Sequence, residues 1–178
     1  MTEKSAADRA AAWWRRLQPM LANGERNPTG DRAAMAQLRR CSSVSEAMQI
    51  PATIDLFRSL GWHDPANLAK VALTAAVLAC VRDAVRGRFA RTIGPNSPSE
   101  PESALVKPLR FRRLMEAQTD DERLTAFRRA IGLAGGKADP VDLAQALLDW
   151  SERRRTEWIF EYWNAADRPI ASQAATSN

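Results

Sequence analysis

The sequence predicts an all-α protein made of two small helical bundles joined by a proline-rich linker. Three observations support this fold class. The chain is rich in alanine, leucine, arginine and glutamate, which favour helices, and poor in alternating β-branched runs. Apolar residues recur at helical spacing along most of its length. Near the middle, residues 93–108 hold four prolines, which a continuous helix cannot accommodate.

The first half contains several segments that begin at a capping residue or a proline and end at a glycine or a polar turn. We predict helices over residues 5–22, 31–41, 51–60 and 64–91, with about one helical turn within 41–50. The last of these is nearly all apolar until Arg82, which indicates the central buried helix of the first half.

The second half contains four further helices, with expected starts at Pro108, Thr119, Asp139 and Ser151. Thr119 and Glu122 have the spacing of a capping box, in which each side chain accepts a hydrogen bond from the other residue's free amide. Gly135-Gly136 is expected to end the helix that this box begins.

The expected domain division follows from the position of the prolines. We predict an N-terminal bundle over 1–93, a Pro/Ser-rich linker over 94–108 and a C-terminal bundle over 109–178, with a disordered tail from about 168. Neither half is large enough to be very stable alone, so we expect the two to dock on each other or on partners.

Composition narrows the class of protein. The chain has 178 residues and a formal net charge of +5, which favours an anionic partner such as nucleic acid or an acidic protein. Its two cysteines, Cys41 and Cys80, are too far apart in sequence for a zinc motif and too few for a disulfide scaffold. We find no signal peptide and no run of roughly 18 apolar residues. The prediction is a cytoplasmic protein without contact to a membrane.

Catalytic motifs are missing from the sequence. His63 is the only histidine, and neither a serine elbow nor a cysteine motif accompanies it. The acidic pairs lie at expected helix starts, where capping explains them. LAGGK (133–137) has the glycines and lysine of a phosphate loop but not its spacing or its preceding strand. We therefore predict no enzymatic activity, no cofactor and no metal.

Clusters of basic residues are the remaining candidates for a functional site. KPLRFRRLMEA (107–117) carries four positive charges within seven positions. On a helical wheel Phe111, Leu114 and Met115 form an apolar stripe and the arginines point elsewhere. Guanidinium groups match phosphate oxygens well, but a solvated basic helix face has the same pattern, and the residues alone leave both interpretations open.

Two other nucleic-acid signatures are weaker. The tryptophans mostly fall at helical spacing beside aliphatic residues, which is typical of core packing or of a protein interface rather than of base stacking. A helix-turn-helix over 29–60 is disfavoured, because its connection is longer than the tight turn such a motif needs.

Several segments resemble the CasB family, the small subunit of the type I-E CRISPR Cascade complex. The resemblance covers about residues 10–163 and depends on motifs that occur in a fixed order. These are WWRRLQP, GDRAAMAQLRRC, FRSLGW, VALTAAVLACV, LRFRRLMEAQTDDERLTAFRRAIGLAGGK and VDLAQALLDWSERRRTEWIFEYW. One departure is Lys107-Pro108, where the family favours a serine-type helix start.

The resemblance implies an all-helical, two-bundle protein without catalytic activity of its own. It implies two copies lying head to tail, in contact with other Cascade subunits, the CRISPR guide RNA and the target DNA. The positions that match the family's basic surface are Arg39, Arg40, Lys107, Arg110, Arg112, Arg113, Arg128 and Arg129. From these we predict sequence-independent contacts to the guide RNA–target DNA hybrid and to the displaced strand.

Two alternatives stay open at this stage. One is a structural adaptor whose surfaces bind only protein subunits, with the basic face meeting acidic patches. The other is a stand-alone DNA-binding regulator. Salt-dependent binding to unrelated nucleic acids separates them, because an adaptor shows none and a regulator prefers one duplex sequence.

Overall fold

The computed structural model of the chain describes residues 5–164. Within this range ten α-helices succeed one another, with bounds α1 Ala6–Leu17, α2 Arg32–Arg40, α3 Val44–Met48, α4 Pro51–Ser59, α5 Leu68–Leu78, α6 Phe89–Ile93, α7 Pro108–Glu116, α8 Asp120–Leu133, α9 Pro140–Leu148 and α10 Glu152–Tyr162. Two 3-10 turns, Pro65–Asn67 and Pro101–Ser103, accompany them, and two-residue strands β1 (Asp83–Ala84) and β2 (Lys137–Ala138) pair in parallel. The predicted all-α class is confirmed.

Four of the predicted helix starts agree with observed side-chain caps. The Asp31 carboxylate accepts from the backbone N–H of Ala34 at the start of α2. Thr119 and Glu122 form both bonds of the capping box at the start of α8. The Asp139 carboxylate accepts from the Val141 N–H at 2.9 Å, and the Ser151 hydroxyl accepts from the Arg154 N–H at 3.3 Å. Each cap satisfies an N–H group that the first helical turn leaves without a partner, and so fixes where the helix begins.

Two predicted helix ends were wrong. The first helix ends at Leu17 rather than near residue 22, because Pro19 disfavours helical geometry at Gln18, which is extended. The helix expected over 64–91 is shorter at both ends, since Pro65–Asn67 is a 3-10 turn and α5 ends at Leu78.

The early end of α5 has a long-range cause. The backbone N–H groups of Arg82 and Asp83 both donate to the Gly136 carbonyl, at 2.8 and 3.2 Å. These bonds begin the β1–β2 pairing and replace the bonds that a continued helix would make. Gly87 then adopts a φ of 137°, a conformation that favours glycine, before α6 begins at Phe89.

Helix α5 is a central buried helix, as predicted for the first half, and it also contacts helices of the second half. Every residue from Val71 to Leu78 is buried, and the helix packs against α3 and α4 of the first half and against α8 and α9 of the second. Helix α1 lies along α9. Helices from both sides of the proline-rich segment therefore contribute to one continuous apolar core. Whether the two halves fold as separate domains stays a prediction.

The segment over 94–108 is fastened to α10. The Tyr162 hydroxyl, which is buried, donates to the Val106 carbonyl at 2.6 Å, and the Asn164 side chain donates to the Pro95 carbonyl at 2.6 Å. A Cβ on Gly94 would lie 2.0 Å from the Tyr162 carbonyl oxygen, so only glycine fits there. This packing fixes the direction in which the chain enters α7. The tail expected to be disordered from about 168 lies outside the described residues.

Among the helices of residues 5–164, none is long and apolar enough to cross a membrane.

Candidate nucleic-acid interface

Helix α7 carries the densest set of exposed arginines, and its core side fixes their direction. Phe111 is 4% exposed and stacks on Tyr162, with the ring centroids 3.8 Å apart and the planes 7° from parallel. Leu114 is also fully buried one turn later. Because this side of the helix is held in the core, the side chains of Arg110, Arg112 and Arg113 lie in solvent. Phe111 is therefore the core anchor of this helix and not a base-stacking ring.

The guanidinium groups of the three α7 arginines are available to a ligand. Across residues 5–164 no side-chain hydrogen bond or ion pair engages Arg110, Arg112 or Arg113. Lys107, at the start of the helix, differs because its ammonium group lies 3.4 Å from the Glu102 carboxylate. That pair is exposed and contributes little to stability, so Lys107 remains able to exchange it for another anion.

An open groove lies between α7 and α8, and Arg113 and Arg129 line it together with three acidic residues, Glu116, Asp121 and Glu122. Two of these carboxylates already accept hydrogen bonds from the backbone. Asp121 accepts from the Val44 N–H at 2.7 Å, and Glu122 accepts from the amides of the capping box, which lower the pKa of its carboxyl. Arg129 is exposed and forms no side-chain bond within the described range. The groove thus offers two arginines whose donors are available.

Arg128 differs from its neighbour Arg129. Its guanidinium donates to the carbonyls of Cys41 and Leu38 at 2.6 and 2.7 Å, and to the Cys41 Sγ at 3.1 Å. These carbonyls belong to the last turn and the end of α2, where helix geometry leaves them without partners. Arg128 therefore caps α2 from a helix far along the chain and joins α2 to α8.

Arg39 and Arg40 lie in the last turn of α2, beside the carbonyls that Arg128 binds. Arg39 donates through Nε to the Ala79 carbonyl at the end of α5, at 2.9 Å. Arg40 donates through Nε to the Ala36 carbonyl of its own helix, at 3.2 Å. In both residues the bond uses the donor nearest the stem, and the residues are exposed. The ends of their guanidinium groups face solvent next to α8.

The side chains of this surface are of the type that matches phosphate oxygens. Its groups are cationic donors, and His63 lies exposed elsewhere, between Trp62 and Asp64. Within residues 5–164 no cluster of three or more His, Cys, Asp or Glu side chains is arranged to hold a metal ion.

Comparison with known families decides the identity of the chain. The profile of the family described as CRISPR-associated protein Cse2 matches residues 34–163. The chain belongs to the Cse2 family. The resemblance to CasB, the small subunit of the type I-E Cascade complex, is thereby confirmed. As a Cse2 protein the chain is a subunit of a CRISPR surveillance complex. No curated protein matches it significantly.

A solved structure has a similar fold. The fold is similar to that of a chain in the crystal structure of E. coli Cascade bound to a PAM-containing dsDNA target. The match has a TM-score of 0.62 and covers 90% of this chain and 97% of that chain. The sequence identity is 19%, so the likeness shows the fold alone.

Several other arginines of this Cse2 chain are engaged in ion pairs. Arg16 pairs with Asp55, and Arg91 lies 3.1 Å from Glu161. Arg154 is buried in α10 and lies 2.8 Å from Glu157. Such residues count toward the net charge of the protein, but much of their charge is neutralised locally.

Arg88 belongs to the same class and faces a buried acid. It lies 3.0 Å from Asp142, which also accepts from the Phe89 N–H at 2.8 Å. Burial raises the pKa of the Asp142 carboxyl, and the bonds from Phe89 and Arg88 only partly oppose this. The pair connects the start of α6 to α9.

Arg82 is a basic residue that the sequence did not single out for the interface. It is exposed, its stem packs against Gly136, and it follows by three residues the Ala79 carbonyl that Arg39 binds. The sequence predicts it inside a continuous helix over 64–91. The signal available in the sequence was Gly87, which makes a helix through this region unfavourable. In the Cse2 fold Arg82 adds a charge near the end of α2.

The tryptophans of this Cse2 chain lie where their helical spacing predicts. Trp13, Trp14 and Trp158 are buried in the core, and Trp150 and Trp163 pack against it. Trp150 and Trp158 meet edge to face, with ring centroids 5.2 Å apart. Core packing therefore accounts for these five rings, and base stacking does not.

Proposed function

We propose that this Cse2-family chain is a non-catalytic subunit that holds nucleic acid in its surveillance complex through sequence-independent contacts to phosphate. The observation that carries the proposal is the exposed arginine set of α7, whose side chains make no bond to the protein across residues 5–164. Arg129, Lys107 and the ends of Arg39 and Arg40 extend the same surface. Arg128 supports it by holding α2 against α8.

The physical reason lies in what RNA-guided recognition asks of the protein. Base pairing between guide and target reads the sequence, so the protein contacts need only neutralise phosphates. Exchange of the DNA duplex for the hybrid is nearly balanced in free energy, and a few cationic contacts are enough to shift it. Arginine suits this role because its fork matches phosphate oxygens. The only aromatic ring of α7, Phe111, is buried, so this helix offers no platform for bases.

The partners follow from the family and from the solved relative. We propose contacts to the guide RNA–target DNA hybrid and to the displaced strand, beside other Cascade subunits and a second copy of the chain lying head to tail. The relative's occurrence in a Cascade bound to a dsDNA target supports this context. Absence of catalysis is part of the proposal, and the exposed position of His63 without a set of partner residues supports it.

The test reverses two charges on α7 and compares them with two reversed elsewhere. Arg110→Glu with Arg113→Glu removes the proposed contacts. Arg26→Glu with Arg58→Glu changes the net charge by the same amount, at exposed positions outside α2, α7 and α8. Each double variant is assembled into the complex, and target-DNA dissociation is measured for several unrelated guides over a range of salt concentrations.

The α7 variant should retain target DNA less well for every guide. The slope of log K against log salt concentration is negative, and its magnitude should decrease by about 0.7–0.9 for each lost phosphate contact. The control variant should keep the slope of the unmodified complex. If the α7 variant assembles and binds with an unchanged slope, this surface does not contact phosphate and the chain acts as an adaptor between protein subunits.

A further inference from the structure

The two cysteines of the chain follow the ends of two helices that a side-chain hydrogen bond joins. Cys41 is the residue that follows α2, is 1% exposed, and donates through its thiol to the Leu38 carbonyl at 3.1 Å. Cys80 follows the end of α5, is half-buried, and lies with Sγ 3.5 Å from the Ala76 carbonyl. Neither forms a disulfide in this structure. The two residues are distant in sequence, so only the fold brings them together.

Two arginines clamp these helix ends against each other. Arg39, two residues before Cys41, donates to the carbonyl of Ala79, the residue immediately before Cys80. The Arg128 guanidinium donates to the Cys41 Sγ at 3.1 Å, and its charge lies close enough to the Cys80 thiol to oppose the rise of its pKa. The hydrogen bond from Arg39 to Ala79 thus ties the chain just before Cys41 to the chain just before Cys80. A disulfide between them would need Cα atoms about 4.4–6.8 Å apart.

We propose that Cys41 and Cys80 form an oxidisable thiol pair that closes into an intramolecular disulfide. This inference is independent of the nucleic-acid contacts proposed above. Cys80 is the residue that an oxidant reaches, because its side chain is the more exposed of the two. Cys41, which is buried behind it, resolves the first product. The oxidant is a hydroperoxide or a small disulfide such as oxidised glutathione.

With hydrogen peroxide the chemistry balances as follows. The Cys80 thiolate attacks one peroxide oxygen, the O–O bond breaks, and the sulfur becomes a sulfenic acid while one water leaves. The Cys41 sulfur then attacks the Cys80 sulfur, displaces the hydroxyl as a second water and completes the S–S bond. The two thiols lose two electrons and two protons in total, and the peroxide gains them.

The surroundings of the two cysteines set the rate at which they are oxidised. Burial raises the pKa of the Cys80 thiol, and the charges of Arg128 and Arg39 oppose this rise only in part. The thiolate, which is the reactive form, is therefore scarce at neutral pH, and oxidation by peroxide should accelerate as the pH rises. The pair is a slow oxidation site rather than a fast peroxide sensor.

The experiment equilibrates the full chain in glutathione buffers of graded redox poise, folded and, in parallel, unfolded in urea. Free thiols are trapped, and intact mass gives the fraction that has lost two hydrogens. We expect the folded chain to hold the disulfide at a glutathione ratio at least about tenfold more reducing than the unfolded chain does. The oxidised chain should stay monomeric on a non-reducing gel.

Two further measurements complete the test. The oxidised protein should unfold about 5–10 °C higher than the reduced one, because the bond closes a long loop, and dithiothreitol should reverse the shift. Cys80→Ser should lose the intramolecular product, and so should Cys41→Ser, whose Cys80 should then bind one glutathione. If the folded chain forms the disulfide less readily than the unfolded chain, or forms only bonds between chains, the proposal is wrong.

Discussion

Arg128 and Arg129 are adjacent and carry the same charge, yet the structure gives them different surroundings. Arg128 binds two backbone carbonyls and a thiol of the α2 end, whereas Arg129 is exposed beside the α7–α8 groove. Arg128→Met and Arg129→Met each remove one guanidinium and keep an apolar stem of similar reach. The pair of variants separates a structural arginine from one available to a ligand, with the net charge held equal.

The expected loss of stability follows from the contacts. A hydrogen bond to a charged group contributes roughly 1.5–3 kcal/mol net, and the lower end applies because Arg128 is only half-buried. Its two carbonyl bonds, at 2.6 and 2.7 Å, then give about 3 kcal/mol for Arg128→Met. For a chain of this size that corresponds to a decrease of about 6–12 °C in Tm. Arg129→Met should change the free energy of unfolding by less than about 0.5 kcal/mol.

The assay measures both properties on both variants. Urea unfolding gives the free energy, and binding of the assembled complex to target DNA at several salt concentrations gives the slope. Arg128→Met should be less stable and keep the salt dependence of binding. Arg129→Met should be as stable as the unmodified chain, and the magnitude of its slope of log K against log salt concentration should be smaller by about 0.7–0.9. Arg128→Lys should not restore stability, since one ammonium lacks the guanidinium fork that reaches both carbonyls. Normal stability and a reduced slope for Arg128→Met would refute the reasoning.

Two more predictions concern buried polar groups. Tyr162→Phe keeps the ring on Phe111 but leaves the Val106 carbonyl without its donor, so urea unfolding should show a loss of about 1–3 kcal/mol; an unchanged stability would mean that water replaces the hydroxyl. Burial raises the pKa of the Asp142 carboxyl in the folded chain. The stability that this shift contributes is therefore fully present below the ordinary aspartate pKa of about 3.9, and it is lost as the pH rises through the higher folded pKa. Asp142→Asn should remove this loss, and stability curves from pH 3 to 7 that keep the same slope in both proteins would contradict it.

The sequence was informative where a residue's role depends on its near neighbours. The Thr119–Glu122 box spans three residues, and its bonds form as the spacing requires. The same holds for Phe111 and Leu114, whose spacing alone places them on one side of α7. Because burial of that side determines where the remaining side chains point, the exposure of the α7 arginines was also predictable.

The sequence was uninformative where a contact with a distant segment determines the local structure. Helix α5 ends at Leu78 because the chain beyond it binds Gly136, a residue more than fifty positions away. Local composition favours a longer helix, and no local signal names that partner. Arg128 is a similar case. A helical wheel assigns it to a flank of α8, but only the fold brings the carbonyl ends of α2 to that flank.

The distinction between committed and available arginines changes what the net charge of the chain implies. A charge of +5 alone predicts a diffuse attraction to any polyanion. Arg16, Arg88 and Arg91 pair with acids, and Arg128 caps a helix, so these residues add little to a directed contact. Exposed arginines without a side-chain bond within residues 5–164 also occur elsewhere, as at Arg26 and Arg58, but three follow one another closely on α7, and Arg129 lines the same groove as Arg113. Under the proposed function, this surface attracts the phosphates of a backbone and holds a strand without reading its bases.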